Sequence, residues 1–89
     1  MTNNDILTMT KANLSLIAHT WDDYLLQLIE VARQMITREG ITLSDTLEDN
    51  NLIVMYASYL YRKRAEDTAV MPRMLRYALN NRVISEKAQ

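Results

Sequence analysis

The chain has 89 residues and a mass of 10.4 kDa, 48% of its residues are hydrophobic, and its formal net charge is −1. A folded chain of that mass exposes about 5,400 Å², roughly a third of its extended surface, which supports one small core and excludes a second domain or an enclosed cleft beneath a lid. The absence of Cys removes disulfide scaffolds, thiolate zinc sites and iron–sulfur clusters, and one Gly with one Pro leaves no material for phosphate-cradling loops or tight hairpins.

The even balance hides an asymmetry. Residues 1–61 carry three basic side chains against eight acidic ones, whereas residues 62–89 carry seven basic against three acidic. Such a layout is either an uneven solvated surface or the basis of head-to-tail association, in which the acidic part of one copy meets the basic part of the next.

The expected fold is all-α, a single compact domain over 1–89 with about four helices. The first spans residues 4–18, capped by Asn3 or Asn4, with Ile6, Leu7, Leu14 and Ile17 on one face. The second spans 20–39: Thr20 and Asp23 approximate a capping box, and Asp22 and Asp23 also suit the positive end of the helix dipole. Tyr24, Leu25, Leu28, Ile29, Ala32, Met35 and Ile36 form its buried stripe, and Gly40 stops it. A connection over 41–48 offers Ser44 or Asp45 as a cap.

The third helix spans 48–66. It is apolar on most sides, because Val54, Met55, Ala57 and Tyr61 widen the face marked by Leu52, Ile53, Tyr56, Tyr59 and Leu60. Such a helix belongs at the centre of a fold or against a partner. The fourth spans 72–85, with Pro72 in its first turn and Met71, Met74, Leu75, Ala78, Leu79 and Val83 facing inward. Arg73, Arg76 and Asn80 share its opposite face, and the polar end beyond Ser85 is expected to fray.

Little of this points to chemistry. His19 is the only histidine and is expected to pack against Trp21. The adjacent carboxylates Asp22–Asp23 and Glu48–Asp49 sit at helix starts, where capping accounts for them. No His or Cys spacing suits a metal, so neither catalysis nor a cofactor is expected. The longest apolar stretch, 52–61, is half the length of a membrane span, and the N-terminus lacks the basic start and apolar core of an export signal, so a cytoplasmic chain without a membrane partner is expected. Arg62, Lys63 and Arg64 end the third helix, where they offset its dipole; the Arg73 and Arg76 face has no such role.

Three segments in order resemble one family: DYLLQLIEVA (23–32), DNNLIVMYASYLYRKR (49–64) and, after a short loop, MPRMLRYALNNR (71–82). Together they look like the small head–tail connector (adaptor, head-completion) proteins of tailed bacteriophages and prophages, with the likeness running from about Trp21 to Arg82. The resemblance implies an α-helical subunit that assembles as a homo-oligomeric ring beneath the portal protein, extends the DNA channel, helps retain the packaged genome and offers a docking surface to a downstream neck or tail protein. It implies no catalytic residue or cofactor, and a place at the head–tail junction of the virion after assembly in the bacterial cytoplasm. On this view Arg62, Lys63, Arg64, Arg73 and Arg76 contact Asp22, Asp23, Glu48 and Asp49 of a neighbouring subunit or line the channel, with weak contact to passing DNA. The alternatives are a small helical DNA-binding regulator and a stand-alone helical adaptor for a host protein.

Overall fold

The computed structural model describes residues 2–65 and 70–87. Four helices follow in order: α1 (Asn3–Leu14), α2 (Asp22–Arg38), α3 (Leu47–Ala65) and α4 (Arg73–Lys87). The chain is all-α, as its periodicity indicates. α1 and α2 pack on each other and on α3, while α4 packs chiefly on α3.

α1 starts and stops where local hydrogen bonding dictates. Thr2 caps it: its hydroxyl accepts the Asp5 N–H (3.2 Å) and the Asp5 carboxylate accepts the Thr2 N–H (3.0 Å), a reciprocal capping box in place of the expected Asn3 or Asn4. The helix ends at Leu14 and not at residue 18, because Ser15 takes the left-handed conformation (φ 59°, ψ 36°) and Leu16 bonds back to the Lys11 carbonyl (2.8 Å). Ile6 and Leu7 are buried as expected, whereas Ile17, beyond that stop, is 91% exposed.

α2 begins at Asp22, two residues later than expected, and no side chain caps it. The Thr20–Asp23 box does not form. Leu25, Ile29, Ala32 and Ile36 make its buried stripe, and Met35 lies at the exposed edge. Gly40 does close the helix: its φ of +98° is a conformation that side-chain-bearing residues rarely adopt, and its N–H reaches the Thr37 carbonyl (3.0 Å).

The cap of α3 is Thr46, whose hydroxyl accepts the Asp49 N–H (3.1 Å), and not Ser44 or Asp45. The expected last residue of α3, Glu66, lies outside the described residues. Leu52, Ile53, Val54, Tyr56 and Ala57 are all buried. The broad apolar surface of α3 is therefore largely covered by α1, α2 and α4 of its own chain, which removes the reason to invoke a partner for it.

In α4, the Pro72 carbonyl accepts the Arg76 N–H (3.1 Å), so proline precedes the first helical residue, and the helix continues past Ser85 to Lys87. Leu75 and Leu79 are fully buried, but Met74 points outward, 76% exposed, instead of joining the inner stripe. With Leu75 and Leu79 the two fully buried side chains of α4, Leu79→Ala is expected to cost about 2–5 kcal/mol in a urea unfolding titration.

Candidate functional site

The most constrained polar group is Asp49, the third residue of α3. Its side chain is fully buried. The Ser44 N–H (2.7 Å) and Ser44 hydroxyl (3.0 Å) donate to Oδ2, and the Arg82 guanidinium from α4 closes on the carboxylate. Arg82 also donates to the Thr42 carbonyl (3.0 Å) and to Glu86 (3.2 Å), and the Thr42 N–H donates to the same Glu86 oxygen (3.3 Å). This clasp ties α4, the 39–46 connection and the start of α3 together.

Burial alone would raise the Asp49 pKa, but the two Ser44 donors and Arg82 outweigh it and hold the carboxyl below its ordinary value. Burial likewise opposes the charge on Arg82, and its bonds to Asp49 and Glu86 outweigh that and push its pKa up. Asp49 therefore has no surface to offer a neighbouring subunit, a correction to its expected role as an acidic interface partner. Arg82 was missed in the sequence. Its signal was its i,i+4 pairing with Glu86 on the inner side of α4, opposite the acidic start of α3.

The other expected interface residues divide. Asp22 pairs with Lys11 (2.9 Å) and His19 (2.9 Å), and those hydrogen bonds, Lys11 first, lower its pKa. His19 itself is exposed and bonded to Asp22 instead of packed on Trp21. The Arg64 guanidinium lies 4.5 Å from the centre of the Trp21 ring and 5.2 Å from that of Tyr24, so the end of α3 is held over the start of α2 by cation–π contact. Lys63 sits 5.8 Å from the Tyr59 ring centre, and Arg62 reaches the Asn13 amide oxygen at 3.4 Å.

Arg76 does have a structural role: it bonds both carboxylate oxygens of Glu39 at 3.2 Å and so ties α4 to the end of α2. Glu48 is exposed, with Arg82 4.0 Å away. Arg73 and Asp23 are exposed, and neither has an ionic partner among the described residues.

Ile17, Val31, Met35, Leu47 and Val70 are exposed at several places among the described residues, and three further large apolar side chains stand together on α4. Met74 is 76%, Tyr77 58% and Ile84 65% exposed, and they lie on one side of the helix away from Leu75 and Leu79. Arg73, Asn80 and Lys87, spaced seven residues apart, run alongside. Among the described residues no three His, Asp or Glu side chains gather where a metal ion would sit, and no helix is long and apolar enough to cross a membrane. No protein-family model, curated protein or solved structure matches this chain.

Removing Arg82 leaves the buried Asp49 carboxylate without its counter-charge. Arg82→Ala is expected to destabilise the fold by about 3 kcal/mol. The native pKa of Asp49 lies below the unfolded value near 3.9. Its stabilising contribution is therefore complete above that value and is lost as pH falls through the native pKa. Unfolding titrations across that acid range are expected to show a shallower acid loss in Asp49→Asn than in the unaltered chain.

Proposed function

We propose that this chain is a non-catalytic structural subunit: a head–tail connector that forms a ring below the portal of a tailed phage, continues the DNA channel and presents a surface to a neck or tail protein. The observation that carries this reading is the outward face of α4. Met74, Tyr77 and Ile84 stand in solvent on a helix that already satisfies its inner side with Leu75 and Leu79. An exposed apolar row of that kind marks a protein contact. The three segments that resemble connectors supply the kind of assembly, and they fall on α2, α3 and the greater part of α4, in that order.

The basic residues are consistent with protein contact more than with duplex reading. Arg64, Arg76 and Arg82 are engaged by aromatic rings and carboxylates of the same chain, which reduces the charge available to phosphates. Near-neutral net charge also suits a channel through which DNA slides.

The decisive experiment disrupts the coding sequence in a phage or prophage that carries it. Filled heads that lose their DNA and fail to join tails are expected. Normal joining of tails and full infectivity would overturn the connector reading. Purified protein is expected to bind duplex DNA weakly; tight binding with a steep salt slope would favour the DNA-binding regulator instead.

A further inference from the structure

Away from α4, one flank of α2 carries an apolar line that its own chain covers only in part. Tyr24 and Leu28 are half-buried, and Val31 and Met35 are exposed. They follow one another at spacings of four, three and four residues, the rhythm of a seam between two paired helices. The buried stripe of Leu25, Ile29, Ala32 and Ile36 is a separate face, about 100° around the helix.

Charge marks the two ends of the line. Among the ionic side chains of α2, Asp22 pairs with Lys11, and Glu30 and Arg33 bond each other and Asn3. Asp23 in the first turn and Arg38 in the last are exposed, and neither has an ionic partner among the described residues. Fifteen residues apart, they are separated by about 22 Å along the axis, too far to meet within one chain.

We infer that this flank is an interface with a second copy of the chain, α2 packing antiparallel on α2 about a two-fold axis. The line is complementary to itself in that direction. Reversing the second helix sets Tyr24 against Met35 of the second copy and Leu28 against its Val31, and each pair occurs twice. The same reversal brings Asp23 within one turn of the second copy's Arg38, so both unpaired charges are matched, again twice. A parallel arrangement would set Asp23 against Asp23 and Arg38 against Arg38. Tyr24 is also held in a fixed pose, with the Trp21 ring edge-on at 6.3 Å and Arg64 at 5.2 Å, so pairing costs it little freedom.

A contact of this symmetry closes at two copies. It uses no residue of α4, and so goes beyond the connector reading without resting on it.

Sedimentation velocity on the full-length chain, with circular dichroism to check folding, tests the pairing. The unaltered chain is expected to dimerise reversibly, and Val31→Asp, at an exposed position, to stay monomeric. Asp23→Arg and Arg38→Asp each remove two attractive pairs at once, and each is expected to weaken the dimer about three- to thirty-fold. An equal mixture of those two variants is expected to recover it, because the charges of one are then opposite to those of the other. Combining both substitutions in one chain is expected to restore self-association, which a parallel pair would not do.

Cross-linking reads the direction independently. The chain has no cysteine, so Gln27→Cys and Gln34→Cys, both at exposed positions, carry no background. A disulfide is expected to form faster between the two variants than within either. An unaltered chain that stays monomeric at every concentration, a Val31→Asp variant that dimerises normally, charge variants that fail to recover each other, or cross-linking fastest between identical variants would each overturn the α2 contact. None of these outcomes bears on the disruption of the coding sequence, which tests the connector reading separately.

Discussion

α3 is apolar around so much of its circumference that it has to be surrounded, and the rest of the molecule is arranged to do so. α1 and α2 cover one side through Ile6, Leu25, Ile29 and Ile36, and α4 covers another through Leu75 and Leu79. A helix with one narrow stripe is content on a flat surface; one like α3 specifies a bundle. Its polar ends then need anchoring, and both are held by arginines. Arg82 grips Asp49 at the first turn, and Arg64 lies over Trp21 and Tyr24 at the last.

Periodicity made the helices legible because burial enforces it. Leu25, Ile29, Ala32 and Ile36 could be placed from spacing alone, and Gly40 from its backbone freedom. Helix starts were less legible, since several Ser, Thr, Asn and Asp residues compete for each cap and the winner depends on where other side chains are drawn. Asp22 goes to Lys11 and His19, and Asp49 is drawn inward by Ser44 and Arg82. Thr2 caps α1 and Thr46 caps α3, while α2 has no side-chain cap. Met74 was misplaced for a different reason: it sits about 100° around the helix from Leu75, at the edge of the apolar stripe, and spacing alone does not show where burial ends.

Charge was the least legible layer. The excess of bases after residue 61 is visible in the sequence, yet their tasks are set by contacts 33 to 49 residues away, such as Arg82 with Asp49 and Arg62 with Asn13. Long-range pairs of that kind leave no local pattern. Once they are assigned, the basic half of the chain resolves into a few internal struts and a small remainder facing solvent, and it is that remainder, beside the apolar row of α4, that bears on assembly.

The cation–π stack at the end of α3 has an optical corollary. Trp21 is the sole indole in the chain, and a guanidinium sits against its face. Its fluorescence therefore reports on a single joint, the seam between the beginning of α2 and the end of α3. A change in emission without a change in helical content would signal that this joint has opened while the bundle around it persists, giving a built-in gauge that needs no added label.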